Sequence, residues 1–429
     1  MNNWAGNIKW NPKGYFLPNN KNEIISIIQQ AKNKKLPIRV IGSGHSFSPL
    51  CATNGYSISL NNLQHIQQDE TNDKLVYIQG GAKLYQISYA LNTLGLAQEN
   101  MGDIDRQSIA GATATGTHGT GIAFGNISTQ IEEITFINGL GEVITANESN
   151  STLFNSARVS LGSLGVVTDV RLKTVPAYLL KQEKKKERFS DVVKNIDAIT
   201  DNNRQFEFHW LLHTDIVQSK YINITNEKPQ KVNRITQWLD EVLFENYLFE
   251  LLNIISKIFP STCAFLNRLA SKFISNSINI NISNKIFATT RTVRFYESEY
   301  NIPYEHYPAV VNEMLQKFEE KKYKIFFPQE HRFVKGDDIF LSPAYKRKSA
   351  YIAIHAYKGT NYEAYFNDMQ AIFKRYGGRP HWGKMHNCDA AYLATVYPEW
   401  NTFLTVRKQQ DPNGIFLNEH LRKIFNIAE

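Results

Sequence analysis

The chain has 429 residues, 42% of them hydrophobic and 21% charged, and a formal net charge of +8. That composition belongs to a folded protein of two or three domains and excludes a disordered chain. The basic residues are scattered apart from the cluster Lys184–Lys186, so nucleic-acid binding is not expected, whereas the positive charge suits an anionic cofactor or substrate.

Residues 1–6 carry no charged n-region and no apolar h-region, so no signal peptide and a cytoplasmic location are expected. Helical periodicity covers Asn22–Asn33 and a strand covers Ile38–Ile41. The strand empties into Gly42-Ser43-Gly44-His45-Ser46. Glycine there permits positive φ and close approach of backbone to a ligand, and an imidazole is a nucleophile near neutral pH. Taken alone, the element reads equally as a tight turn with an incidental surface histidine. Leu75–Gln79 is a second strand, followed by a Gly80-Gly81 turn and a helix over Lys83–Leu94.

From Ala110 to Gly121 every residue except His118 is Gly, Ala or Thr. Such a run either exposes successive backbone N–H groups as an anion-binding nest or packs as a turn between core elements. Its spacing is neither that of a dinucleotide-binding Gly-x-Gly-x-x-Gly after a strand nor that of a P-loop. Two glycine-rich elements, one tipped by a histidine, point to a large pyrophosphate cofactor. A hairpin over Ile131–Thr145 turns at Asn138–Gly141, and Val166–Leu172 closes the region as a strand. This βα alternation argues for a mixed α/β cofactor domain.

Beyond Pro176 the chain is richer in aromatics and longer strands. The charged run Lys181–Arg188 reads as a linker or solvated strand end. Val242–Phe259, VLFENYLFELLNIISKIF, is interrupted by Glu245, Glu250 and Lys257 and stopped by Pro260, so a membrane span fails. An amphipathic helix packed on the protein is expected there, with attachment to a membrane surface as the alternative. Strands follow over Lys324–Val334 and Tyr351–Tyr357. Alternation puts Glu330 and Arg332 on one face and His331 on the other. That Glu/Arg pair is either an exposed ion pair or a means of orienting a polyhydroxylated substrate. In the second strand Tyr351, Ala353, His355 and Tyr357 share a face, with Ile352 and Ile354 turned to the core. The loop Arg379–His386 carries Lys384, which would stabilise a developing alkoxide or simply be solvated. The three cysteines, Cys51, Cys263 and Cys388, are far apart, so neither a disulfide framework nor a metal site is expected.

Six motifs then stand in one order: GSGHSFSP (42–49), GATATGTHGTG (111–121), LGSLGVVT (161–168), GDDIFLSPAY (336–345), GRPHWGKMHNC (378–388) and DPNGIFLN (411–418). With them the chain resembles, almost end to end, the vanillyl-alcohol-oxidase type of FAD-linked oxidoreductases. Within that superfamily it resembles the sugar-1,4-lactone oxidases and the related alditol oxidases. The resemblance implies an α+β architecture: an FAD-binding domain of two α/β subdomains over 1–177, an antiparallel-sheet substrate cap over 178–374, and a C-terminal segment, 375–429, completing the active site. It implies FAD joined covalently to His45, with Gly42, Ser43, Gly44, Ser46, Ser108, Gly111, Thr115, Gly116, Thr117, His118, Gly119 and Val167 around the cofactor. Ser108, Glu330, Arg332, His355 and Lys384 match polyol-contacting and activating positions of the alditol oxidases. Glu330, Arg332 and Lys384 also have counterparts in the lactone oxidases, whereas His355 varies between the subgroups. The implied reaction is hydride transfer from a sugar-lactone carbon to flavin N5, with Arg332 and Lys384 favouring loss of the hydroxyl proton and O2 as acceptor. A polyol substrate, or a cytochrome or quinone acceptor, is the alternative. A flavin carrier without catalysis would need none of Glu330, Arg332 and Lys384. Val242–Ile280 matches the alditol oxidases poorly.

Overall fold

The computed structural model describes residues 1–229, 248–289 and 293–428. Helix Lys21–Lys34 starts on Asn20, whose side chain accepts a hydrogen bond from the Glu23 amide, and stops at Lys35 in the left-handed region. Its Ile24, Ile27, Ile28 and Ala31 follow the helical period and pack against Ile38, Tyr56 and Ile58. Those residues belong to a three-stranded parallel sheet in the order Gly14–Phe16, Tyr56–Ser59, Ile38–Ile41. Ile415 and Phe416 fill the same core, so the end of the chain returns to its beginning.

A second sheet has five antiparallel strands in the order Ile66–Gln68, Leu75–Gln79, Gly165–Lys173, Ile131–Asn138, Val143–Asn147. The helix expected after Gly80-Gly81 runs over Leu84–Thr93. The small-residue run differs from an open nest. Residues Ile109–Ala114 form one short helix, and Gly116, at φ +68, turns the chain out of it. The run is thus helix and turn together, with Ile109, Ala112 and Thr113 buried beneath the short helix.

The third sheet is antiparallel and has eight strands. Their order is Ser277–Ile282, Leu179–Arg188, Ile216–Ile224, Gln205–Leu211, Gln329–Val334, Ser349–Tyr357, Phe295–Pro303, Arg379–Pro380. The charged run Lys181–Arg188 is therefore not a linker but part of a strand paired on both sides. Its charges are met across the sheet, with Lys181 bonded to Glu227 at 2.8 Å and Tyr221 donating to Glu187 at 2.8 Å. The strand expected over Lys324–Val334 begins only at Gln329. Pro328 has no N–H to give a ladder.

The expected alternation is present. Glu330 and Arg332 bond each other, while His331 on the opposite face meets the Tyr307 hydroxyl at 2.9 Å. Strand Ser349–Tyr357 is buried on both faces except at Tyr357, so the face carrying Tyr351 and His355 is an internal wall and not a solvated one. The apolar run Val242–Phe259 packs less than expected. Residues 242–247 lie outside the described residues. In helix Phe249–Ile258, Asn253 and Ser256 face inward while Leu251, Ile254 and Ile258 stay exposed. No helix of the described residues is long and apolar enough to cross a membrane.

Candidate active site

The His45 turn is held from the N-terminus. Gly44 takes φ +69, where a side chain would be strained, and its carbonyl accepts from the Trp4 amide at 2.8 Å. Asn3 donates to the Ser46 carbonyl at 2.9 Å. The Trp4 ring lies 5.9 Å from the His45 ring. Burial, then the positive charges of Lys384 and Lys83, push the His45 imidazole down to about 4. It is neutral at pH 7 and keeps a free lone pair.

Two hollows meet at this histidine. One, a cleft of about 90 Å³, runs between the two glycine-rich elements. The other, a cavity of about 80 Å³, is faced by strands Phe295–Pro303 and Gln329–Val334 and by the Lys384 loop. His45, Ser46, Gln107 and Thr115 line both. Of the residues expected around a cofactor, Gly42, Ser43, Gly44, Ser108, Gly111 and Val167 line the cleft. Thr117 and His118 line the cavity instead. Gly116 and Gly119 line neither hollow. A Cβ on Gly119 would lie 2.1 Å from the Met101 carbonyl oxygen, so protein backs it directly.

The cavity wall is charged. Arg332 lies 2.8 Å from Asp103, 3.1 Å from Glu207 and 2.7 Å from Glu330. Burial opposes its charge, but Asp103, Glu330 and Glu207 raise it well above the usual guanidinium range. Lys220 closes on Glu207 at 2.5 Å, and His209 meets Glu330 at 3.2 Å. Lys384 reaches Glu297 at 2.5 Å, and the other oxygen of Glu297 lies 3.5 Å from His355 Nε2. The second ring nitrogen of His355 sits 2.9 Å from the Pro328 carbonyl. Burial works against an ionised Glu297, but Lys384 and then His355 hold it well below the ordinary carboxylate range.

Glu299, one period further along that strand, pairs with His118 at 3.2 Å. Burial again opposes ionisation, and His118, His381 and Lys384 together bring Glu299 down to about 2. The other nitrogen of His118 faces the Gly119 carbonyl at 2.9 Å. The His118 ring stacks on Tyr351 at 3.6 Å.

Arg332, Glu330 and Lys384 therefore come together in one cavity with Trp4, Glu297, Glu299 and His381. Ser108 stands in the cleft. His355 sits behind Glu297 and touches the site through it. Sequence reasoning missed Glu297, Glu299, Asp103, Glu207, Lys220, His381, Trp4 and Gln107. The run Phe295-Tyr296-Glu297-Ser298-Glu299 did hold a signal, since residues two apart share a strand face. Among the described residues, His118–Glu299–His381 and Glu207–His209–Glu330 each bring ligand atoms close enough to share a metal ion, which cysteine spacing did not foreshadow. Each set already holds a histidine–carboxylate contact at 3.2 Å, His118 to Glu299 and His209 to Glu330.

The D-arabinono-1,4-lactone oxidase family matches residues 170–424, and the FAD-binding domain family matches residues 12–147. The chain belongs to the sugar-1,4-lactone oxidase family. This lactone-oxidase chain is 37% identical to the L-gulono-1,4-lactone dehydrogenase of Mycobacterium tuberculosis, over 98% of both chains. It is 31% identical to the L-gulonolactone oxidase of Bos taurus, over 99% of this chain and 97% of that one. A solved structure of a solvent-stable cholesterol oxidase superposes with a TM-score of 0.84 at 17% identity, over 99% of this chain and 97% of that one. At that identity the likeness speaks for the fold, an FAD-binding unit with an antiparallel-sheet cap. A lactone oxidase of this family is an FAD enzyme, and the cleft suits that cofactor. A Cβ on Gly42 would lie 2.5 Å from Ser108 Oγ and block the passage between the two glycine-rich elements. Gly42, Gly44, Gly80, Gly81, Gly111 and Gly162 keep the cleft open to backbone, and Lys83 brings a cation to its wall.

Proposed function

We propose that this enzyme oxidises a hydroxyl of a gulono-, arabinono- or galactono-1,4-lactone and passes the electrons to O2. The observation that carries the reading is the buried charged cavity opening on His45. Its fixed donors, Arg332 and Lys384, and its fixed acceptors, Glu297, Glu299 and Glu330, suit a small molecule covered in hydroxyls. Bound FAD supplies the two-electron acceptor.

The chain's own residues do the rest. Arg332 is held by three carboxylates, so it cannot swing away, and it offers a permanent positive charge to a hydroxyl oxygen that is losing its proton. Lys384 is aimed by Glu297 and offers a second. Trp4 and Phe295 close the apolar side of the cavity and exclude water. We infer further that neutral His45 carries the flavin through a covalent bond, since a buried, unprotonated imidazole at the mouth of the cleft is a competent nucleophile. Protein with His45→Ala that keeps its yellow colour after acid precipitation would contradict that bond.

Anaerobic mixing with a panel of sugar lactones tests the reaction. Bleaching of the flavin absorbance by lactones, and weakly or not at all by xylitol or sorbitol, is the expected result. No bleaching by any lactone would remove the reading. His355 behind Glu297, out of reach of a polyol chain, favours the lactone over the alditol. The name of the mycobacterial relative, a dehydrogenase, favours one second reading, in which a protein or quinone replaces O2. Oxygen uptake measured beside dye reduction separates the two.

A further inference from the structure

Residues 3–8 form a strap that closes on itself and lies along the His45 turn. The Asn3 amide donates to the Ile8 carbonyl at 3.2 Å, and the Gly6 amide to the Asn3 carbonyl at 3.1 Å. The buried Asn3 side chain engages its whole amide group. Nδ2 donates to Asn7 Oδ1 at 2.6 Å and to the Ser46 carbonyl at 2.9 Å, while Oδ1 accepts from the Ile8 amide at 3.0 Å. Asn7 donates in turn to the Phe47 carbonyl at 3.0 Å. With the Trp4 amide on Gly44, the strap thus holds backbone carbonyls on both sides of His45. From the other side, the Phe47 amide donates to the Gly383 carbonyl at 2.7 Å and Ser48 Oγ to that of Trp382 at 2.6 Å. Glycine gives the turn freedom, and these bonds remove it.

Among the described residues, no side chain hydrogen-bonds the His45 ring. A nucleophilic imidazole is ordinarily aimed by an acceptor on its second nitrogen. Here the aim comes from the held backbone and from Trp4. The Trp4 ring lies 5.9 Å from that of His45 and is wedged edge-on against Phe295 and Phe47, at 5.5 and 6.3 Å. We propose that Asn3, Trp4 and Asn7 are positioning residues that hold His45 for its bond to the flavin. The inference rests on the His45 attachment proposed above. In that step an imidazole nitrogen gives up its proton and bonds a methyl carbon of the flavin ring, which gives up a proton of its own. One electron pair makes the N–C bond. The second pair, with both protons, stays on the flavin ring and leaves to the acceptor that serves the reaction. Such a step needs the nitrogen in line, and a misplacement of about 1 Å costs about 100-fold. Asn3, Trp4 and Asn7 are not part of the cofactor cleft wall, so the strap aims the histidine without holding the flavin.

The test compares acid-stable flavin with total flavin in purified holoenzyme incubated with excess FAD. The parent should keep its flavin through acid precipitation. Asn3→Ala and Trp4→Ala should bind FAD, seen by absorbance, yet retain about tenfold less of it after acid. Trp4→Phe, which keeps a ring against His45, should retain it as the parent does. Asn7→Ala, at a half-buried position, gives the same readout where Asn3→Ala fails to fold. A strap that only stabilised the fold would lower total and acid-stable flavin together, so the ratio reports position. A parent that releases its flavin overturns the His45 bond, and this inference with it. With an acid-stable parent, alanine variants as acid-stable as the parent overturn the strap's role alone. Alanine variants that all bind no FAD overturn it too, and so does Trp4→Phe failing as fully as Trp4→Ala.

Discussion

Glu297 carries two partners on one carboxylate, Lys384 at 2.5 Å and His355 at 3.5 Å. It is the reason Lys384 points into the cavity. Glu297→Gln keeps the shape and removes the charge, leaving the partly buried Lys384 ammonium without its partner. Flavin reduction by lactone, followed by stopped-flow absorbance, should fall about 100-fold in Glu297→Gln and similarly in Lys384→Ala. Because both changes strike one unit, the double variant should be little worse than either single one. Additive losses would mean that the two act separately. Arg332→Lys should also fail, for a point charge cannot meet Asp103, Glu207 and Glu330 at once as the planar guanidinium does.

At the level of elements, Gly42 and Ser108 test the cleft. Gly42→Ala sets a methyl 2.5 Å from Ser108 Oγ. The hydroxyl can rotate away, so the protein should fold but bind FAD more weakly. Flavin-to-protein absorbance of the purified variant measures this, and full occupancy would show that the passage has slack. The same scale explains what was legible. The glycines around His45 and the face shared by Glu330 and Arg332 are local features, set by φ and by the two-residue period of a strand. Glu297 and Glu299 obey the same period. What makes them part of the site is their neighbours, Ser349–Tyr357 on one side and Arg379–Pro380 on the other, and those arrive from 50 or more residues away. For Lys181–Arg188 the same limit left a linker and a solvated strand end undecided, because five basic residues in eight do not reveal the partner strands.

For the whole molecule, the histidines decide the response to acid. Burial pushes His331, His381 and His386 down to about 3, and His45 and His420 to about 4. Their unfolded value is near 6.5. Between these limits the unfolded chain binds protons that the folded chain refuses, so stability is complete above about pH 6.5 and falls as pH drops towards 4. Each contributes on the order of 1 kcal/mol per pH unit within the window. Asp337, raised to about 6 by burial, and Asp411, also raised by burial, act in the opposite direction but are two groups against five. Thermal unfolding should therefore come at clearly lower temperature at pH 5 than at pH 7. An unchanged midpoint would mean that these rings take protons in the folded state. None of this was readable in composition, because eleven histidines say nothing of how many are buried.

Arg39 in the cleft wall spends its guanidinium on carbonyls of Leu50, Leu161, Gly162 and Phe416, and Asn418 clasps the carbonyls of Pro49 and Ala52 at 2.7 and 2.8 Å. A chain stopped at Gln410 lacks both the Phe416 carbonyl and the Asn418 clasp, and it should yield no soluble flavoprotein. The consequence is one of timing. Strand Ile38–Ile41 leaves the ribosome early, yet its core and its buried arginine wait for residues made almost last. At about 5–20 residues per second, the nascent chain spends most of its synthesis with this half-built floor. Flavin capture, and any bond to His45, is thus the act of a finished chain.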